Sequence, residues 1–506
     1  MVIAMQRTTP AALSDDEASL LRRVRPQDWR NPRPKSLYDL AIIGAGPAGI
    51  AAAEYAARRG FTVALIERAV LGGDSLHTGS VPSKAIIRTA DIYGGMRDAD
   101  EFGAPLPEQP AFDFAAAMDR LRRIRTRIAV YHSVHDLTAL GIDIFFGEAR
   151  FAGPDKLVVD ATPLPFRKVL IATGARPKIP GIPGLKETGY RTSSTIFEMT
   201  ALPKRLAVIG GGPLGCELAQ AFCRMGAQVT IVQNNPKFLP REERDAAEIL
   251  NWSMARDGME IRLNTVVIAA RREGDTKILE TLNNEVKGEI AADEILVCTG
   301  RVPNIEALDL AAAGIASNPR RGVTVDGFLC SSNPDVYAAG DACLPLKFTN
   351  AAQSSARRAV ANALLQAGQK HDNSVIPWCT YCSPEIAHIG LQVWDAHRQS
   401  IPIKSYTVML NDIDRAITDG EETGFVKIHV AEGSDRILGA TIVASHASEL
   451  INEIAVIMST GIGMQALAEV IHTYPAQSGA IMLAAQAYRR DTDSTVLQTP
   501  SGKPLV

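Results

Sequence analysis

The 506-residue chain has no apolar run long enough to cross a bilayer as a helix, which takes about 20 residues, so a helical membrane span is excluded. Its start, Met1 to Pro10, lacks the apolar core of a signal peptide. Seven scattered cysteines do not make the disulfide framework of a secreted domain. Excess charge is missing too. Against 53 Lys and Arg stand 56 Asp and Glu, a balance without the electrostatic footprint of a nucleic-acid binder. The densest basic run, Arg120 to Arg127, holds five arginines spaced as one wet helix face. These absences leave a soluble, cytoplasmic protein, long enough for two to four domains.

What is present begins after a polar, proline-bearing arm (1–36). Tyr38-Asp39-Leu40-Ala41-Ile42-Ile43 is a buried-strand run. Gly44-Ala45-Gly46-Pro47-Ala48-Gly49 follows, then a helix to about Gly60 and a strand, Phe61 to Ile66, that ends in Glu67. This is a βαβ unit opening on GxGxxG. Gly44 permits the tight turn, Gly46 lets backbone approach a pyrophosphate, and Gly49 allows close helix packing. The helix N-terminus then offers N–H groups and a positive dipole to phosphate. Glu67 is placed to accept hydrogen bonds from a ribose.

The pattern recurs. Arg205 to Ile209 leads into Gly210-Gly211-Gly212-Pro213-Leu214-Gly215, a helix to about Gly226, and a strand from Gln228 to Val232 that ends at Gln233. Each copy later closes on an apolar strand and a Thr-Gly, at Thr173-Gly174 and Thr299-Gly300. The chain thus carries two dinucleotide-binding domains, one interrupting the other. An acid at the second strand end would favour NAD and a base NADP; Gln233 is neither, and NADH is slightly favoured. Lys237 is read as solvated. After about Val375 short strands (Lys404 to Leu410, Gly424 to His429, Ile437 to Val443) precede apolar helices (Ser448 to Met458, Met464 to Val470).

One further segment, Gly72-Gly73-Asp74-Ser75-Leu76-His77-Thr78-Gly79-Ser80-Val81-Pro82-Ser83-Lys84, resembles the active-site segment of the flavoprotein disulfide reductases. These are the class I pyridine nucleotide-disulfide oxidoreductases: lipoamide dehydrogenase, glutathione reductase and mercuric reductase. The resemblance spans roughly residues 38–490 and is nearest to mercuric-reductase-like members; Val24 to Pro32 is similar to the arm before the first strand in some of them. Trp29 within that arm is read as packing it onto the body.

The resemblance implies an α/β fold of two Rossmann-like domains, for FAD (37–186 and 300–370) and NAD(P) (187–299). A C-terminal α+β dimerisation domain (375–490) and a tail (491–506) would complete it. Asp335-Val336-Tyr337-Ala338-Ala339-Gly340-Asp341-Ala342 resembles the family's second FAD motif, which makes Asp341 the ligand of the ribityl chain. Ala352 falls where a backbone N–H meets the flavin ring, and Thr173 and Gly174 match the adenine-side strand end. Gly210, Gly212, Gly215, Gln233 and Gly300 would serve the nicotinamide cofactor. Lys84 and Glu217 match a family ion pair beside flavin N5.

The departures are as informative. The two redox cysteine positions hold Ser75 and Ser80, and a hydroxyl neither forms a disulfide nor acts as a neutral-pH thiolate. The family's C-terminal His-x-His-Pro segment and glutamate, which reach into the partner subunit as an acid–base couple, read here as His472-Thr473-Tyr474-Pro475 with Gly479. Tyr474 replaces the catalytic histidine, and His472 is read as packing. Cys379-Thr380-Tyr381-Cys382 falls on an expected strand, where residues three apart face opposite ways, and no second pair exists for zinc. The C-terminal residues Ser501 to Val506 hold no cysteine pair like that of mercuric reductase, no N-terminal metal-binding domain is expected, and mercury reduction is not expected.

The expectation is a homodimeric FAD-dependent NAD(P)H oxidoreductase. It would pass hydride from NAD(P)H to FAD and then electrons directly to a small non-disulfide acceptor such as a quinone. It would have no bound metal and no nucleic-acid partner. The competing expectation is a non-catalytic FAD- and NAD-binding scaffold or sensor.

Overall fold

The computed structural model describes residues 14–104 and 112–496. The outer parts of the arm and of the tail lie outside the described residues. The chain forms two compact units. One comprises residues up to Val232 with Val266–His371; the other comprises Gln233–Thr265 with the chain from Asp372 on.

In the first unit the arm is not featureless. It contains helix α1 (Asp15–Val24), opened by a capping box in which Ser14 Oγ accepts the Glu17 N–H and the Glu17 carboxylate accepts the Ser14 N–H. Leu20 and Val24, one turn apart on the same face, are buried. Trp29 packs edge-on against Phe146 at 5.9 Å, the anchoring role expected of it.

The elements that follow are β1 (Tyr38–Ile43), α2 (Pro47–Ala57), β2 (Val63–Glu67), α3 (Gly73–His77), α4 (Ser80–Arg97), α5 (Phe114–Ile128), β3 (Asp143–Phe146) and β4 (Phe166–Ile171). With β5 (Arg205–Ile209), α6 (Pro213–Arg224), β6 (Gln228–Val232), β7 (Glu294–Val297), β8 (Val336–Ala338) and α7 (Thr349–Leu365) they build two parallel sheets. The first has the order β8-β4-β1-β2-β3, all parallel, with Ile42 beside both Leu65 and Leu170. Both its faces are covered: Leu40, Ile42 and Leu65 enter one core, and Ala41, Ile43, Ala64 and Ile66 the other. That is why β1 reads as a continuous apolar run rather than an alternating one. In the second sheet β5 lies between β6 and β7, again parallel. An antiparallel three-strand meander over Val266–Ala292 inserts before β7.

The second unit holds the antiparallel sheet β9 (Trp378–Thr380), β10 (Glu385–Gly390), β11 (Ile403–Met409), β12 (Phe425–Ala431) and β13 (Ile437–Ala444), in the order β9-β10-β13-β12-β11. Helices α8 (Ala447–Thr460) and α9 (Gly479–Val496) pack their apolar residues, among them Ile451, Ile454, Ile481 and Ala484, into its core. The helix expected over Met464 to Val470 is shorter, Met464–Leu467. No helix among the described residues is long and apolar enough to cross a membrane.

Candidate functional site

Both glycine loops take the same shape for the same reason. Gly44 (φ 105°) and Gly210 (φ 107°) occupy backbone space that L side chains rarely adopt. A Cβ at Gly49 would stand 1.8 Å from the Gly44 carbonyl oxygen, and one at Gly215 would stand 2.1 Å from that of Gly210. The third glycine of each loop is therefore fixed by sterics. Gly46 and Gly212 cap α2 and α6 without a side chain, followed by Pro47 and Pro213 at the first helical position. Two N-termini are thus left with backbone donors, the arrangement that receives a pyrophosphate.

Around the first loop, Glu67 is half-buried and braces the turn: its carboxylate accepts the Ala45 N–H at 2.9 Å and the Ala69 N–H at 2.7 Å. Burial pushes its carboxyl up, against those two amide bonds. Thr173 Oγ1 is buried with no hydrogen-bond partner among the described residues, at the strand end where the adenine side of a dinucleotide is expected. Asp341, on a short helical turn after β8, is held by Arg301, whose Nε lies 3.4 Å from Asp341 Oδ2. Burial pushes the Asp341 carboxyl up, while the Arg301 and Lys347 charges pull it back. Arg301 also bonds Asp74, two positions after Gly72 in the signature segment. Arg301, Asp74 and Lys347 were not among the residues expected; the only sequence signal is an arginine directly after the second Thr-Gly. An orphaned hydroxyl, an inward carboxylate and two bare loops fit FAD and a second dinucleotide.

The signature segment folds as α3 and α4. Ser75 on α3 is half-buried, and its Oγ lies 3.2 Å from Thr349 Oγ1 in the first turn of α7. Ser80 opens α4 and is exposed. Lys84 Nζ stands 2.7 Å from Glu217 Oε2, and the Glu217 side chain is only 5% exposed. Cys298, near Gly215, does not replace the missing thiols: burial, and then the Glu217 charge, push its thiol up to about 12.

Three expectations need correction. Ala352 N–H is not presented outward; it donates to the Phe348 carbonyl at 2.9 Å, because it is the residue that completes the first turn of α7. The helical N–H groups that precede that first bond belong to Thr349–Ala351. The arginine run is not one wet face. Arg120 turns inward to donate to the Ala85 carbonyl on α4 at 2.9 Å, and Arg125 is half-buried near the His77 carbonyl. The expected CxxC strand ends at Thr380, so only Cys379 lies on β9 and Cys382 is buried beyond its end.

In the second unit, Gln233 lies just past β6 and its N–H donates to the Arg262 carbonyl at 2.9 Å. Lys237 is exposed. Tyr474 is 79% exposed, and its hydroxyl donates to Asp414 Oδ2 at 2.6 Å. His472 Nε2 lies 2.8 Å from Glu453 Oε1 on α8, which locks the ring in place. Gly479 begins α9. No group of three or more His, Cys, Asp and Glu suited to a metal occurs among the described residues.

Comparison with known proteins matches this arrangement. The family described as pyridine nucleotide-disulphide oxidoreductase matches residues 38–363, and its dimerisation domain matches 376–485. A mercuric reductase of Acidithiobacillus ferrooxidans is 34% identical over 459 residues, covering 89% of this chain and 83% of that protein. One from Shigella flexneri is 33% identical over 494 residues, covering 96% and 86%. The solved Cu(II) complex of the HOCl-induced flavoprotein disulfide reductase RclA from Escherichia coli superposes with a TM-score of 0.79 at 27% identity, covering 90% of this chain and 100% of that one.

Proposed function

The chain belongs to the pyridine nucleotide-disulphide oxidoreductase family of FAD-dependent enzymes, and from that membership we propose that it takes hydride from NAD(P)H and delivers the electrons directly to a non-disulfide acceptor such as a quinone. FAD, when bound, supplies the two-electron chemistry. The residues that would hold it are the loop Gly44–Gly49, Glu67, Thr173, Gly174 and Asp341, with Arg301 keeping Asp341 in place. Gly210, Gly212, Gly215, Gln233 and Gly300 would hold the nicotinamide cofactor.

The observation that carries the reading is the contrast between Lys84–Glu217 and Ser75/Ser80. Glu217, nearly buried, fixes the Lys84 ammonium 2.7 Å away; beside flavin N5, where the family resemblance puts the pair, that charge would stabilise incoming negative charge. Burying one such charge without the other is costly, so the pair is kept or lost together. The same stretch offers no thiolate to attack a disulfide: Ser75 Oγ meets a threonine hydroxyl, and Ser80 faces solvent. Tyr474 does not serve as a base, since the bond to Asp414 raises its phenol further. We assign it instead to the acceptor pocket of a homodimer, where its exposed ring suits stacking on a planar acceptor.

Anaerobic titration with NADH and NADPH, watched by flavin absorbance, tests the reading. Direct bleaching to the two-electron reduced form is expected; a flavin that neither nucleotide reduces would sink it. Reduction with no turnover on any acceptor would favour the sensor alternative.

A further inference from the structure

The helices that carry Lys84 and Glu217 are joined a second time. Asp91 and Arg224 each stand seven residues beyond those two, and Arg224 Nη1 lies 3.0 Å from Asp91 Oδ1. Seven residues are two helical turns, about 10 Å along the axis. The two pairs follow the same order on both helices, so α4 and α6 run in the same direction, in register at two points. The polarity is reversed between them: Lys84 on α4 meets Glu217 on α6, whereas Asp91 on α4 meets Arg224 on α6.

The second pair is seated with more care than a surface contact. The Arg224 side chain is 12% exposed. Its guanidinium lies over Gly94, one turn beyond Asp91, where a Cβ would stand 3.2 Å from Cζ, Nε and Nη1. A side chain there would be a tight fit, and the guanidinium would have to give by a few tenths of an ångström. Arg224 is also the last residue of α6, where a cation meets the negative end of the helix dipole. On the adjoining side a chain of rings, Tyr93 to Phe112 at 4.5 Å, Phe112 to Phe114 at 6.3 Å and Phe114 to Phe222 at 6.0 Å, ties α4 through α5 to α6.

We propose that Asp91 and Arg224 form a positioning pair that sets the axial register of α4 on α6 and so seats the Lys84 ammonium on Glu217. This rests on the reading that Lys84 and Glu217 serve hydride transfer. A lysine has a flexible four-carbon stem, and by itself it tolerates a sliding helix. The packed cation at Arg224, held by the short stem of Asp91, adds a second restraint two turns away that the first pair lacks. The reversed polarity disfavours the two alignments two turns away. A slip of two turns in one direction sets Lys84 against Arg224; a slip in the other sets Asp91 against Glu217. Both place like charges together.

The test uses the flavin-loaded protein. Flavin bleaching by saturating NADH, with NADPH in parallel, is followed anaerobically in wild type, Arg224→Met, Arg224→Lys, Asp91→Asn, Lys84→Met and Arg224→Met/Lys84→Met. Amide hydrogen exchange of residues 81–91 is measured on the same proteins. Arg224→Met and Asp91→Asn are expected to lower the limiting rate about tenfold, with the nucleotide dissociation constant unchanged. Arg224→Lys should recover to within about threefold of wild type, and Arg224→Met should add nothing once Lys84 is methionine. Exchange over 81–91 should quicken in Arg224→Met while that of β1 and β2 stays unchanged. A limiting rate within about twofold of wild type, or the same loss with and without Lys84, overturns the proposal. If wild-type flavin is not bleached at all, the oxidoreductase reading fails by itself. The exchange data then decide the pair: faster exchange supports it, and unchanged exchange overturns it.

Discussion

The hydroxyl of Thr349, in the first turn of α7, donates to Ser75 Oγ on α3 across 3.2 Å. A reactive thiolate would need a site that leaves it charged and able to attack. Here the atom at that place is a neutral oxygen engaged with another hydroxyl, the contrast on which the proposed route from flavin to a non-disulfide acceptor rests.

The first consequence concerns acceptors. Oxidised lipoamide, glutathione disulfide and Hg(II) should turn over at least about 100-fold more slowly than quinones, since both nucleophile and general acid are gone. No long-wavelength thiolate–flavin charge-transfer band should accompany reduction. Steady-state assays across both acceptor classes decide it, and comparable turnover with a disulfide would refute it.

Lys84→Met should slow flavin bleaching about tenfold or more, on the order of 1.4 kcal/mol of barrier. The substitution removes the charge and keeps the stem, so Glu217, nearly buried, loses its ammonium. Stopped-flow absorbance gives the rate directly; an unchanged rate would make the pair structural.

Asp341→Asn should leave the purified protein short of flavin. A hydrogen bond to a charged acceptor is worth roughly 1.5–3 kcal/mol, or about 10- to 100-fold in affinity. Arg301→Met should weaken FAD in the same direction, because it is Arg301 that faces the Asp341 carboxylate. Flavin content per chain, then reconstitution titrations, measure both effects; full occupancy in Asp341→Asn contradicts the assignment.

A buried carboxyl in the second unit predicts a pH dependence of stability. Glu242 is 2% exposed and accepts the Trp378 indole N–H at 3.3 Å. Burial pushes its carboxyl up from 4.5 to about 7. Between those values the folded state holds a proton that the unfolded chain has released, so its contribution is full below pH 4.5 and is lost as pH rises to about 7. The loss is on the order of 3 kcal/mol. Its neighbour Glu243 behaves oppositely. Burial pushes it up, but His429, the Val393 amide and Lys427 outweigh that and hold it at about 2, so its contribution disappears only in acid. Glu242→Gln cannot ionise, and its stability relative to wild type should therefore rise from pH 5 to pH 8, by about 2–3 kcal/mol. Denaturant midpoints at the two pH values check it; a relative stability that does not change with pH would disprove the assignment.

Local features were legible before any coordinates. The two GxGxxG loops, the strands Tyr38–Ile43, Arg205–Ile209 and Gln228–Val232, and the Thr-Gly strand ends appear where the chain pattern puts them. Each depends on a few adjacent residues: a glycine forced to positive φ, or an apolar run buried on both faces. The helix in the arm was not read: Ser14, Glu17 and the spacing of Leu20 and Val24 carry its signal, but the arm's polar composition concealed it.

Which groups meet was decided only by the tertiary structure. Lys84 and Glu217 are 133 positions apart, and Arg301 reaches Asp74 across 227. Family resemblance named the first pair, and nothing in the sequence named the second, because a partner in space is set by how helices and strand ends pack. The same holds for Arg120, which composition assigns to solvent and packing turns onto the carbonyl of Ala85. It holds again for Ala352, whose N–H is used up by the turn that its own helix completes. The sequence determined two nucleotide-binding loops and the loss of two thiols. Packing determined that the Lys84 charge is retained beside Glu217, and that Asp91 and Arg224 meet two turns away.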